Sequence, residues 1–164
     1  MPASSARRTA ESGIDDHRFR RIPVPWWRRA SWTVLAAVSA GGVIGALARY
    51  GLSVAFPHAA GGFPWVIFAI NVVGCLLIGS LMVVIAETGR AHRLVRPFLG
   101  VGVLGGFTTF STYIVDAQRA ISAGAPATGL VYLAAAPVAA LAAVYAGSHL
   151  ARLLIRPRRR KDRS

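Results

Sequence analysis

Four long apolar stretches organise the chain, over residues 31–56, 63–86, 94–122 and 128–155. A helix needs about 20 mostly apolar residues to cross the hydrocarbon core of a bilayer, and each stretch supplies them. The connections, 57–62, 87–93 and 123–127, are short. Short connections make sequential helices antiparallel and leave one bundle with no room for a soluble domain. The pattern predicts an all-α membrane protein with four transmembrane helices.

The third stretch is not uniform. It reads Gly100-Val-Gly-Val-Leu-Gly105-Gly106-Phe107-Thr108-Thr109-Phe110-Ser111-Thr112-Tyr113. Two adjacent glycines followed by four hydroxyl residues make poor helix, so the third helix is expected to be broken at its centre. A break at membrane depth is tolerated only where protein buries it or it lines a cavity. It frees backbone carbonyls, which can coordinate a cation. It also aims hydroxyl and N–H donors, which can serve an anion. A kinked helix with Ser and Thr bonded back to their own carbonyls is the plainer alternative.

Other polar groups inside the spans are few: Arg49, Asn71, Asp116 and Arg119. Such groups are costly in a membrane and often functional. Asn71 lies near the middle of the second span. Its amide offers two donors, and it is equally suited to joining two helices. Arg49 either snorkels to an interface or pairs with a partner. Gly41, Gly42 and Gly45 form a small-residue surface for helix packing, and Gly74 and Gly79 can serve another helix in the same way.

Charge settles how the spans are arranged. Hydrophobic residues make up 54% of the 164 and charged ones only 15%, where soluble domains carry roughly 25% charged. The net charge of +13 sits mostly at the ends: seven Arg in residues 1–30 and seven Lys or Arg in 152–163. That distribution argues for a membrane domain over 31–155, a basic flexible N-terminal tail over 1–30 and a basic C-terminal tail over 156–164, not for a nucleic-acid-binding domain. Trp26 and Trp27 look like an interfacial anchor. The charged leader is too long for the n-region of a cleavable signal peptide. Seventeen Lys or Arg fall on the side of the termini and the second loop, against Arg119 alone near the other. The positive-inside rule then puts both termini in the cytoplasm of a multi-pass cell-membrane protein, with the tails attracted to anionic lipid.

Several classes drop out. Cys75 is the only cysteine, which excludes a disulfide framework and a cysteine metal cluster, and it reads as a small core residue. His17, His58, His92 and His149 are scattered, and no nucleophile–base set appears, so the chain does not read as an enzyme. A small proton-coupled drug exporter needs a carboxylate in its first span. Here the only carboxylate well inside a span is Asp116, with Arg119 one turn on.

At Gly41-Gly42-x-x-Gly45-Ala46-x-x-Arg49-Tyr50, Asn71-x-x-Gly74 and Gly105-Gly106-Phe107-Thr108-Thr109-Phe110-Ser111-Thr112, the chain resembles the Fluc (CrcB) fluoride channel family. The resemblance covers roughly residues 37–150, and the third motif is the specific one. It implies an antiparallel dimer of four-helix subunits with two fluoride pathways at the interface. It implies a structural Na⁺ held by backbone carbonyls, which by motif position belong to Gly105 and Thr108. The family's pore Asn falls on Asn71, its pair of pore phenylalanines on Phe110 and Tyr113, and a fourth-helix tyrosine on Tyr132. The residues suit such a pore. Asn71, Ser111 and Thr112 can donate to a strongly hydrated anion, and the positive edge of the Phe110 ring can face it. Export would be passive: HF enters, dissociates in the cytoplasm, and the inside-negative potential drives fluoride out.

Three positions depart from the family's usual pattern. Position 113 is Tyr instead of Phe, Val66-Ile67 replace Gly-Thr, and Ala136 stands where a serine is common. Each departure removes or alters a polar contact on the inferred fluoride track. The charge bias adds a further expectation. An antiparallel homodimer needs one chain inserted both ways, whereas this one is biased to a single orientation. The dimer is therefore expected to pair this chain with an oppositely oriented homologue, with a homodimer or a non-conducting assembly subunit as the alternatives.

Overall fold

The computed structural model describes residues 31–59, 61–88 and 92–161, with side chains as far as residue 155. The basic tail expected over 1–30, with Trp26 and Trp27, lies outside the described residues. Among those described, every regular element is a helix. Helix α1 spans Trp32–Ala55 and α2 spans Trp65–Thr88. A π-helical segment, Arg96–Leu104, runs directly into α3, Gly105–Phe107. Residues 108–110 are not helical, and α4 follows over Ser111–Ser122. Helix α5 spans Pro126–Lys161. Four stretches are long and apolar enough to cross a membrane: Trp32–Ala55, Trp65–Glu87, Arg96–Ser122 and Pro126–Ile155.

Local chemistry explains most of the boundaries. Pro57 follows α1 and disfavours the helical conformation of the residue before it. Pro126 opens α5, at a position where its missing N–H has no partner to lose. At the end of α4, Gly124 adopts φ +81°, and the N–H groups of Gly124 and Ala125 donate to the carbonyls of Ile121 and Ala120. This is a Schellman cap, for which glycine is the favoured residue. The fourth span ends at Ile155, where the hydropathy pattern puts it, while its helix α5 continues to Lys161. Hydropathy marks where the apolar surface ends, but Arg and Lys are good helix formers and the backbone continues.

Helix α2 packs mainly along α5, α4 packs on α5, and α1 packs on the π-helical segment and α3. The α2–α5 crossing is built from two matching Gly-Ser pairs. A Cβ on Gly79 would strike the Val144 carbonyl, and one on Gly147 would strike the Leu76 carbonyl. Ser80 Oγ lies 3.0 Å from the Gly147 carbonyl oxygen, and Ser148 Oγ lies 3.4 Å from that of Gly79. The α1 crossing uses the predicted glycine surface. A Cβ on Gly41 would strike the Phe98 carbonyl, one on Gly45 the Val103 carbonyl, and one on Gly106 the Gly42 carbonyl. Lipid chains are as apolar as leucine, so close backbone approach, not burial of large side chains, holds these helices together. The buried core is correspondingly thin. Its main cluster comprises Ile67, Ile70, Tyr113, Ala117, Tyr132 and Ala136. Large residues such as Leu47, Leu130, Val138 and Leu141 are exposed, as a lipid-facing surface requires.

Gly45→Ala forces a methyl group into the Val103 carbonyl and is expected to cost about 1–3 kcal/mol. Gly51→Ala, on the same helix with open space at its Cβ, is expected to be neutral or to stabilise by up to ~1 kcal/mol through helix propensity. Thermal unfolding of the two variants in detergent checks the difference.

Candidate functional site

The third span loses its helical hydrogen bonds in a definite order. Thr108 is extended, with φ −78° and ψ +155°. Its own N–H and hydroxyl both reach back to the Leu104 carbonyl, at 3.0 and 2.9 Å. In an α-helix the Thr109 N–H would bond the Gly105 carbonyl. Here it donates instead to Asn71 Oδ1 at 2.8 Å, while Asn71 Nδ2 donates to the Thr109 carbonyl at 3.0 Å. The side-chain amide thus occupies both backbone groups of Thr109. The N–H donor also fixes the orientation of the amide, since only its oxygen can accept.

A second diversion follows. The Thr112 N–H, which a continuous helix would point at the Thr108 carbonyl, donates to Thr109 Oγ1 at 3.2 Å. The same hydroxyl donates to Thr112 Oγ1 at 3.1 Å and lies 3.3 Å from Ser111 Oγ. Thr109 therefore caps the start of α4. Diverting the Thr109 and Thr112 N–H groups leaves the Gly105 and Thr108 carbonyls without their α-helical donors. The Gly106 carbonyl, also past the last helical donor, accepts from Arg49 Nε at 3.2 Å. Of the two expectations for Arg49, pairing is the one observed. Basic side chains are well suited to cap helix C-termini in this way.

Beside this break lies a cavity of about 370 Å³, lined in part by Asn71, Gly105, Thr108, Phe110, Tyr113 and Pro137. Cys75 lines it as well. Phe110 is 75% exposed, and its ring centroid lies 5.5 Å from that of Tyr113. Tyr113 is buried, and its hydroxyl donates to the Leu133 carbonyl of α5. The structure thus brings together five of the residues singled out in the sequence: Asn71, Phe110, Tyr113, Gly105 and Thr108. The others lie apart. Ser111 is exposed. Thr112 faces a second cavity of about 240 Å³, shared with His58, Asp116 and Arg119. Tyr132 is fully buried between Phe63 and Tyr113, with ring centroids 5.1 Å away on each side and its hydroxyl unpartnered among the described residues.

Two contributors were not anticipated in these roles. Thr109 is the hub of the break; the signal was the Thr-x-x-Thr spacing, in which a hydroxyl reaches an N–H three residues on. Asp116 is 3% exposed, yet its Oδ1 meets Arg119 Nη1 at 3.3 Å while Oδ2 has no partner among the described residues. Its place one turn before Arg119 shows the ion pair but not the burial.

Residues 36–148 match the family described as CrcB-like protein, Camphor Resistance (CrcB). The fluoride-specific ion channel FluC 1 of Streptomyces coelicolor is 55% identical over 130 residues, 79% of this chain and 84% of that one. FluC 2 of Thermobifida fusca is 51% identical over 132 residues, covering 80% of this chain and 98% of that protein. FluC of Agrobacterium fabrum is 43% identical over 121 residues, covering 73% and 97%. The matched region holds the glycine surface, the Asn71 clamp and the interrupted third span, and the chain belongs to the CrcB-like family.

Proposed function

We propose that the chain is a subunit of a fluoride-selective channel that lets fluoride leave the cytoplasm passively. The observation that carries this reading is the cavity at the break, where an amide, hydroxyls and aromatic rings meet beside freed backbone. Three relatives that are 43%, 51% and 55% identical to it over the aligned residues are named fluoride-specific ion channels. Fluoride gives up tightly bound water only to strong donors. Asn71 has one N–H committed to Thr109 and a second remaining. Ser111 and Thr112, next to the break but outside this cavity, carry further hydroxyls, and the edges of Phe110 and Tyr113 add the positive rim of the ring quadrupole. No proton acceptor or nucleophile is required, so the reading is not enzymatic.

The break also supports a dimer. Non-helical backbone at membrane depth must be covered by protein or line a cavity. In a single subunit Phe110 is largely exposed beside it. A second, antiparallel subunit would cover this face and complete two pathways. The carbonyl oxygens of Gly105 and Thr108, which lack their helical donors, are hard donors that fit an alkali cation. Bound there, Na⁺ would tie the two breaks together and offset the desolvation of a nearby anion.

The charge distribution favours a heterodimer over a homodimer. Seventeen cationic residues on one side against one on the other favour a single orientation, with both termini cytoplasmic. An antiparallel partner would then be a homologue of opposite bias.

Two experiments test these readings. Liposomes holding the purified chain with an oppositely biased homologue are expected to release fluoride far faster than chloride, and the chain alone far more slowly than the pair. Phe110→Ala should slow fluoride release roughly tenfold, the size of one lost contact to a charged ion. Fluoride and chloride leaving equally slowly under both conditions would exclude the channel. Separately, a cysteine introduced at position 5 in a Cys75→Ser background is expected to react with an impermeant maleimide only from the cytoplasmic side. Equal labelling from both sides would establish a homodimer instead.

A further inference from the structure

The hydroxyl of Tyr113 has a specific partner, and the reason lies four residues further along α5. Pro137 stands inside that helix and has no N–H. The carbonyl it would otherwise satisfy belongs to Leu133, four residues back. In water such a carbonyl would be solvated; inside a membrane-spanning bundle it is an unpaired acceptor in an apolar setting. The Tyr113 hydroxyl, reaching across from α4, donates to that carbonyl. Phenylalanine at position 113 could not do so.

The same two residues line the cavity with Asn71 and Phe110. The Tyr113 ring packs 5.5 Å from Phe110 on one side and 5.1 Å from Tyr132 on the other. Its hydroxyl is held at α5. We infer that Tyr113 is a positioning residue whose phenol repairs the backbone gap left by Pro137, which fixes its ring as the cavity wall beside Phe110. The hydroxyl is a helix partner, and only the ring meets the ion path. Tyrosine at 113 and proline at 137 therefore form one unit, and changing either alone breaks it. The part of this inference that concerns ion flow rests on the channel reading; the bond itself does not.

A double-mutant cycle tests it on wild type, Tyr113→Phe, Pro137→Ala and the double variant, each assembled as the complete channel. Tyr113→Phe leaves the Leu133 carbonyl unpaired and is expected to lower the folded-to-unfolded ratio roughly three- to tenfold. It should also lower the fluoride-to-chloride release ratio, because the ring loses its anchor. Pro137→Ala restores an N–H to the helix, so the double variant is expected to recover both quantities relative to Tyr113→Phe. If Tyr113→Phe does not fold and the double variant does, the coupling is established in its strongest form. Additive losses, a double variant no better than Tyr113→Phe, or a Tyr113→Phe variant with unaltered stability and selectivity would overturn the inference. Coupled stabilities in proteins that conduct no fluoride, wild type included, would uphold the bond and reject the channel reading.

Discussion

The two-point contact between the Asn71 amide and the Thr109 backbone governs the rest of the site. A side-chain amide has the same donor and acceptor as a peptide group, so it can substitute for a turn of helix. By accepting from the Thr109 N–H and donating to its carbonyl, Asn71 satisfies the backbone of the residue that follows the extended Thr108. It also diverts the donor that would otherwise close onto the Gly105 carbonyl. Thr109 repeats the device with its own hydroxyl, which takes the Thr112 N–H and leaves the Thr108 carbonyl without its helical donor. Two side chains thereby convert one helix into two half-helices with freed carbonyls between them. Asn71 joins the two helices with one N–H and its oxygen, which leaves its second N–H for the proposed ion path.

Such a break is stable only on a rigid support. The support comes from glycine. α1 approaches the π-helical segment and α3 so closely that Gly41, Gly45 and Gly106 have no room for a Cβ. Arg49 extends this contact to the Gly106 carbonyl at the end of α3. On the other side, Gly74 leaves space for the Thr108 methyl group, which a Cβ at 74 would strike. The span that carries the break is therefore held from α1 by backbone contact and from α2 by the amide clamp. Dispersion and short hydrogen bonds do what a large hydrophobic core does in water.

The four spans were legible because hydropathy and the short loops report them directly. Asn71, Phe110, Gly105 and Thr108 were legible as a group from the motif and from the cost of polar residues in lipid. The roles within the group were not. The Thr-x-x-Thr spacing allows Thr109 to cap α4, but it does not show that its hydroxyl, among those of four hydroxyl residues, is the one used. The burial of Asp116 depends on how α4 meets the 57–62 connection, which no local pattern encodes. The fourth span ends at Ile155, where the apolar surface ends, while the helix itself continues to Lys161. Pro137 could have been read from the sequence: a proline inside a long apolar span always leaves a carbonyl four residues earlier in need of a donor.

The departures from the family's usual pattern become one feature once they are placed in space. Ile67, Tyr113 and Ala136 belong to a single buried cluster with Tyr132, and Val66 packs against it. The replaced residues touch one another, so this is one apolar repacking and not three separate losses. Its effect on the proposed ion path follows from which donors are already engaged. The Tyr113 hydroxyl is held by Leu133, that of Thr108 by Leu104 and that of Thr109 by Thr112. The second Asn71 N–H and the hydroxyls of Thr112 and Tyr132 remain, and the Tyr132 hydroxyl is the buried one without a partner among the described residues. Of these, the Asn71 amide is the one that lines the cavity at the break, so in the proposed channel it is the principal free side-chain donor there.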